Sequence, residues 1–512
     1  MKIVQLYNEL SNILEIIEKE ENKIDDYASR VHDKYRLSAK NLMRYLILRC
    51  FDFRKYHDEL SELGVSSLRT SEGYVYSNLY HVVKNLKLIQ GLETKSEPAV
   101  EIVGYKRSKK RIKRNTRRLF DRSQKKRSAE IMVTLPDEAA IDKRIILQMA
   151  ENGMGIARIN LGHGRKEDWA KMVHFVKKIN QENRLDIKIY MDLAGPKIRT
   201  SEIAIKKKKG GIKNSIRIRQ GEHIILTKRK TLGKRSKFSE DNVQLEKAEI
   251  EVLLPLIIND LKIGDEVLFD DGMIKSKVVG RNDTDVELEI TATYKSKISS
   301  QKGINLPNTQ LNLPALTADD VSNLPFVCQY ADIVGYSFVR TPSDVAYLYE
   351  RLEEYNAKDI GVVFKIENKE SFEHLPEILL EGMKHPRIGV MIARGDLAAE
   401  IGFERISEVQ NQILWICEAA HIPVIWATQV LNNLAKTGIP TRAEISDASM
   451  GAHAECIMLN KGPYINEAIK TLSDILNRME PHMFKKKNSL RALNIAKRST
   501  ESLFGSLPQL EI

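Results

Sequence analysis

GVVFKIENKESFEHLPEILLEGMKHPRIGVMIARGD, residues 361–396, holds two short β-branched runs, 361–365 and 388–393, on either side of an amphipathic segment long enough for a helix. A strand–helix–strand unit of this kind pairs its strands in parallel through a right-handed crossover. Lys365 and Glu367 close the first run; they are two residues apart and so lie on one side of the chain. Arg394 and Asp396 close the second run. Adjacent parallel strands bring all four to one end of a sheet. Two carboxylates and an ammonium gathered there can hold a divalent ion together with an anionic substrate; a pair of structural salt bridges is the alternative.

Outward from this unit the same alternation continues. Strands are expected at 130–134, 156–160, 187–192, 332–337, 361–365, 388–393, 423–428 and 455–460, with helices at 140–152, 166–180, 344–355, 406–420 and 443–454. Eight parallel strands with helices between them make a (β/α)8 TIM barrel, α/β in class, here spanning 128–200 and 301–485. Such barrels work at the C-terminal ends of their strands, and every expected strand ends in polar residues. These are Thr134, Arg158 with Asn160, Asp192, Ser337, Lys365 with Glu367, Arg394 with Asp396, Thr428, and Asn460 with Lys461. The pattern points to an enzyme. Residues 201–300 interrupt it with alternating β segments and turn signals, which suggests a small β-barrel inserted as a lid over the barrel mouth.

Residues 1–105 read as an all-α domain, with apolar residues three and four apart in 13–30, 38–49, 53–63 and 74–88. A basic linker, 106–127, carries 13 Lys/Arg and one Asp, and the rest of the chain balances 68 Lys/Arg against 68 Asp/Glu. The net charge of +12 therefore belongs to that linker, read as a solvated connector or connector helix, with a nucleic-acid or anionic-surface contact as the lesser alternative. It shows no aromatic interleaving or RNA-binding signature, so nucleic acid is not an expected partner. A lysine-rich tail, 486–512, closes the chain. Hydrophobic content is 42%, with no apolar run of membrane-spanning length. Cys50, Cys328, Cys417 and Cys456 are scattered without a CxxC and read as buried, reduced thiols of a cytoplasmic protein.

The segments ARINLGHG (157–164), MDLAGPKIRT (191–200), DDGMI (270–274), KGINLP (302–307), SFVR (337–340), FKIEN (364–368), ARGDLA (393–398), WATQVL (426–431) and PTRAEISD (440–447) follow one another as they do in pyruvate kinases. The resemblance covers roughly 128–480 and looks like a bacterial long-form branch with a helical N-terminal extension and without the family's C-terminal effector domain. It implies Mg²⁺-dependent phosphoryl transfer from phosphoenolpyruvate to ADP, giving pyruvate and ATP, with Mn²⁺ as a substitute metal. Glu367 and Asp396 match the metal ligands; Lys365 and Arg158 match the residues on the phosphoryl group. The Gly395 and Asp396 amides match the receptor of the substrate carboxylate, and Thr428 the threonine near the enolate carbon. His163, Arg199 and Lys302 match nucleotide-side positions.

The chain departs from the family pattern in places. K⁺-dependent members bind that ion at positions matching Asn160, Gly162, Asp192 and Leu193, of which Gly162 and Leu193 have no side-chain oxygen. Lys197 stands where glutamate is frequent, so its ammonium is expected to replace K⁺ beside Asn160 and Asp192, making K⁺ unnecessary. TLPDEA (134–139), Phe364 and the short LNKGP loop (459–463) depart as well, the first of them near the nucleotide. A homo-oligomer, dimer or larger, is expected. The alternatives are a Mg²⁺-enolate aldolase or lyase on the same barrel, and a catalytically weak scaffold binding partners through 1–127.

Overall fold

The computed structural model describes residues 3–93, 98–120, 129–206, 211–479 and 492–505. Its centre is a closed barrel of eight strands: Glu130–Thr134, Ile156–Asn160, Lys188–Asp192, Ile333–Tyr336, Gly361–Ile366, Ile388–Ala393, Val424–Val430 and Cys456–Leu459. Every neighbouring pair is parallel, and the last strand closes on the first through Ile131↔Ile457 and Met132↔Met458. These strands read as near-continuous apolar runs because both of their faces are covered. Met132, Ile156, Tyr190, Ile333, Val363, Met391 and Ile425 fill the interior, while Ile131 and Val133 join the larger core beneath the surrounding helices. Between the third and fourth strands the chain leaves the barrel. Where the sequence suggested a small β-barrel, the strands form a six-stranded sheet in the order Ala248–Glu251, His223–Thr227, Asp285–Thr293, Ile274–Arg281, Glu266–Phe269, Ile304–Asn305. Ser215–Arg217 pairs separately with Lys297–Ser299, and the domain has its own apolar core.

Before the barrel come α1 (Ile3–Lys19), α2 (Glu21–Ser29), α3 (Arg36–Leu48), α4 (Arg54–Glu62), α5 (Val75–Ile89) and α6 (Tyr105–Phe120). The expected helix at 13–30 is thus two helices, α1 beginning earlier and α2 following after Glu20. Helix α3 is buried almost throughout, covered by α1 and α5 on one side and by the barrel helix Ile406–Ala419 on the other. The helices and the barrel share one hydrophobic core.

Three expectations need correction. Of the two connector readings the basic stretch is the helix as far as Phe120, and it is not solvated all round: α6 buries Ser108, Arg111, Asn115, Thr116, Leu119 and Phe120 on one face and turns Lys106, Arg107, Lys109, Lys110, Lys113, Arg114 and Arg117 to solvent. Its high charge masked a second face at three- and four-residue spacing, which ends in two large apolar residues set into the barrel floor. Burying a leucine such as Leu119 stabilises the fold by roughly 2–3 kcal/mol. Residues 121–127 lie outside the described residues. The tail is not bare either. Asn494–Phe504 is a helix that packs on α3, with the Lys23 ammonium donating to Phe504 O at 2.9 Å; 486–491 and 506–512 lie outside the described residues. Lastly, Cys417 and Cys456 are buried but Cys50 and Cys328 are partly exposed, and none of the four is in a disulfide. Among the described residues no helix is long and apolar enough to cross a membrane.

Candidate active site

The polar strand ends converge at the C-terminal mouth of the barrel. Asp192 ends the third strand and is 1% exposed, with Arg158 Nε donating to its Oδ2 at 2.7 Å. Arg158 Nη1 also donates to Thr134 Oγ1 at 2.8 Å, so three neighbouring strands fix the guanidinium. The Lys365 ammonium donates to Ser337 Oγ at 2.7 Å and lies 3.1 Å from Glu367 Oε1 and 3.5 Å from Asp192 Oδ2. Glu367 accepts the Phe338 N–H at 2.8 Å through its other oxygen. Burial disfavours the Lys365 charge, but Asp192 and Glu367 more than offset that and raise its pKa. Burial alone would raise the Asp192 carboxyl; Arg158 and Lys365 overcome it and hold the group below the usual carboxylate range. At Glu367 burial wins, helped by the Asp396 charge, and the carboxyl is pushed up despite Lys365.

Asp396 lies in the first turn of the helix Arg394–Ile401, which starts directly after the sixth strand. Backbone N–H groups at such a start point outward and receive anions. Gly395 is required there by close approach: a Cβ would sit 2.8 Å from Thr428 Cγ2. Thr428 itself has φ +72°, a strained conformation for a β-branched residue. Arg394 holds it. Its Nε donates to Ala427 O and its Nη2 to Thr428 O, both at 2.8 Å, while the guanidinium lies over Trp426 at 4.4 Å and grips Asp447.

Glu367 and Asp396 fit a hard divalent cation: two carboxylates, one pushed toward neutrality when no cation balances it. No cluster of three or more metal-ligating side chains occurs among the described residues, so substrate oxygens and water would complete the shell.

A family model for the pyruvate kinase barrel domain matches residues 126–469. The pyruvate kinase of Bacillus licheniformis is 31% identical over 395 residues, covering 75% of this chain and 63% of that protein. That of Geobacillus stearothermophilus is 31% identical over 363 residues, covering 69% and 57%. The chain belongs to the pyruvate kinase family. A crystal structure of a pyruvate kinase from Cryptosporidium parvum superposes with a TM-score of 0.60 at 25% identity, covering 72% of this chain and 71% of that one. The chain thus spans less than two thirds of the length of these curated bacterial pyruvate kinases, 63% and 57%.

The positions that the pyruvate kinase resemblance assigned to the nucleotide are less tightly gathered. His163 lines a cavity of about 460 Å³ with Asn160, Asp137, Trp169 and Lys461; neither Arg199 nor Lys302 lines it. Burial, then Arg199 and Lys461, lower the His163 pKa, so the ring is neutral at pH 7. Arg199 Nη1 donates to Gln301 O at 3.1 Å, and the Lys302 ammonium is held 3.0 Å from Asp270. Across the cavity mouth Lys461 pairs with Asp137 at 2.9 Å.

Lys197 departs from expectation. Its ammonium sits 2.8 Å from both oxygens of Asp396 and not beside Asn160 and Asp192. Asp192 is already engaged by Arg158 and Lys365, and Asn160 Oδ1 accepts the Gly162 N–H at 3.1 Å. Lys197 pairs instead with Asp396, with Asp271 of the inserted domain also near it.

Sequence reasoning missed four groups. Asp271 of the inserted domain is pushed up by burial and by the charge of Asp396, which places it at the cleft; the DDGMI segment was its signal. Ser337, named only as a strand end, anchors Lys365. The Arg394–Asp447 clamp joins two quoted motifs. Glu400 accepts from Asn305 Nδ2 at 3.2 Å and Leu306 N at 3.3 Å, tying the root of the inserted domain to the Asp396 helix, and burial pushes it up to about 7.

Proposed function

We propose that this chain transfers the phosphoryl group of phosphoenolpyruvate to ADP and protonates the resulting enolate at carbon, releasing pyruvate and ATP. One observation carries this reading: buried Lys365, Arg158 and Glu367 gather at the barrel mouth, Lys365 against Glu367 and both cations beside Asp192, with the half-buried Asp396 paired to Lys197 at the end of the next strand. Phosphoryl transfer asks mainly for positioning and charge neutralisation. The Lys365 ammonium, kept charged by its neighbours, balances the phosphoryl oxygens and the enolate oxygen as the bond to the bridging oxygen breaks. The Arg158 guanidinium, fixed by Asp192 and Thr134, grips the phosphoryl oxygens. The Gly395 and Asp396 amides receive the carboxylate, and the Thr428 hydroxyl orders the proton donor. Mg²⁺, with Mn²⁺ as a substitute, would be held by Glu367 and Asp396 and supplies Lewis-acid neutralisation of substrate oxygens. His163 and Arg199 serve the nucleotide side, with Lys302 near the lid.

K⁺ independence is part of the proposal. It rests on Gly162 and Leu193, which offer no side-chain oxygen where K⁺-dependent members bind the ion; the Lys197 ammonium stands against Asp396, away from Asn160 and Asp192, and so does not itself fill that position. A cytoplasmic location accords with four cysteines outside any disulfide. We also propose a homo-oligomer, readable by light scattering.

The test is pyruvate formation from phosphoenolpyruvate and ADP with Mg²⁺, with and without K⁺, beside Lys365→Met. Turnover that survives K⁺ removal and disappears in the variant is the expected result. No turnover from the unmodified chain, with phosphoenolpyruvate still bound, overturns the assignment of ADP as acceptor.

A further inference from the structure

The helices ahead of the barrel hold particular strands at their N-terminal ends, on the side opposite the cleft. Leu119, at the end of α6, is fully buried against Gly361 of the fifth strand and Gly389 of the sixth. A Cβ on Gly389 would lie 2.4 Å from Leu119 Cδ2, and one on Gly361 3.0 Å from Cδ1. Both glycines therefore make room for this one side chain. Leu119 O accepts from Arg387 Nη2 at 3.1 Å, and the Tyr35 hydroxyl accepts the Ile388 N–H at 3.4 Å, so the entry to the sixth strand is tied twice more. The turn into the seventh strand is held in the same way. Asn115 Nδ2 donates to His421 O and Asn41 Nδ2 to Ala419 O, both at 2.8 Å, and the buried His421 ring sits between Ser38 Oγ and Gly73 O.

The strands gripped at this end are the ones that carry the chemistry at the other. The fifth leads to Lys365 and Glu367, the sixth to Arg394 and Asp396, and the seventh to Thr428. Four residues separate Gly361 from Lys365, a span of roughly 13 Å of extended chain. A close-packed barrel interior transmits strain along such a span and does not absorb it. Resting on the function proposed above, we infer that Leu119 is a positioning residue for the reaction: wedged between Gly361 and Gly389, it sets the stagger of the fifth and sixth strands so that Glu367 and Asp396 meet at metal-binding distance. The helical region is then part of the alignment of the site and not a separable docking module.

The experiment uses the full chain and a cross of two variants. Gly389→Ala puts a methyl where Leu119 Cδ2 lies, Leu119→Ala empties that space, and the double variant lets one methyl fill what the other side chain vacated. Mn²⁺ binding by electron paramagnetic resonance is measured with kcat, the KM for each substrate, and Tm. Each single variant should lower kcat by about 10-fold and weaken Mn²⁺ binding, with the nucleotide KM unmoved, since small misplacements at a reacting centre are amplified. The double variant should recover to within about 3-fold of the unmodified chain, the non-additive signature of residues in contact. Leu119→Met should behave as unmodified. Should Gly389→Ala fail to fold, Tyr35→Phe removes only the hydroxyl at Ile388 and should shift Mn²⁺ binding in the same direction. Single variants that lower Tm but leave kcat and Mn²⁺ binding untouched, or losses that add in the double, overturn the inference. If the Mn²⁺ shifts occur in a chain that forms no pyruvate, the positioning role stands and the assigned reaction falls.

Discussion

The two sides of the cleft are built differently. On the metal side Asp192, Lys365 and Glu367 sit at strand ends with side chains 10% exposed or less, each answered by a neighbour of opposite charge. On the side proposed for the nucleotide, at the cavity beside His163, Lys461 and Asp137 pair at 46% and 79% exposure, where solvent screens them and an ion pair contributes little. Rigid strands hold what must not move, and loops hold what must recognise and release. Substitutions on the first side should therefore cost turnover, and those on the second should change nucleotide affinity.

Lys365→Met should make the largest difference, a fall in kcat of roughly 10³-fold or more with substrate binding largely kept, because a preorganised charge at the reacting oxygens is lost. Glu367→Gln keeps the size but removes a carboxylate proposed to hold the metal; metal affinity and kcat should each fall by at least about 10²-fold, seen by metal titration of rate and of binding. Loss of nucleotide affinity alone in either variant would break the contrast. Asp447→Asn loosens Arg394 and with it the strained Thr428 backbone, so kcat should drop about 10-fold with both KM values near normal. Lys461→Ala should raise the nucleotide KM by about 3-fold and leave the phosphoenolpyruvate KM alone, the scale of one exposed charge.

The smallest effect concerns pH. Glu400 is pushed up to about 7 in the folded chain from an ordinary value near 4.5. The folded state thus binds the extra proton, and its stability falls as pH rises from about 5 to 7, then levels off once the group is ionised in both states. Glu400→Gln lacks this dependence, so it should gain in Tm on the unmodified chain across that window and run parallel to it above. A constant Tm difference from pH 5 to 8 would show that Glu400 does not titrate between the folded and unfolded chain in this window.

How far the sequence could be read follows the same division. The strands were visible because each is a short apolar run with both faces covered, and the residues closing them fall at one end by the geometry of a parallel barrel. Lys365, Glu367 and Asp396 were therefore readable together. Lys197 was not: its partner depends on which carboxylates other cations have already taken, and Arg158 reaches Asp192 from another strand. The pair Lys461–Asp137 joins loops 324 residues apart, and no local pattern encodes that meeting. The buried face of helix α6 was hidden for another reason. Seven exposed cations dominate its composition, while the residues that fix its place, Asn115 and Leu119, are few and carry no charge.

The helix Asn494–Phe504 gives the chain a built-in chemical stopwatch. Cys50 Sγ lies 3.0 Å from Thr500 Oγ1, and burial pushes its thiol up. Cys417 and Cys456 are shut inside, and Cys328 stands apart on the helix Ala318–Tyr330, itself pushed up to about 11 by burial. Alkylation of the partly exposed Cys50, timed against Cys328 in the same sample, reads how far the helix Asn494–Phe504 shields this thiol from reagent.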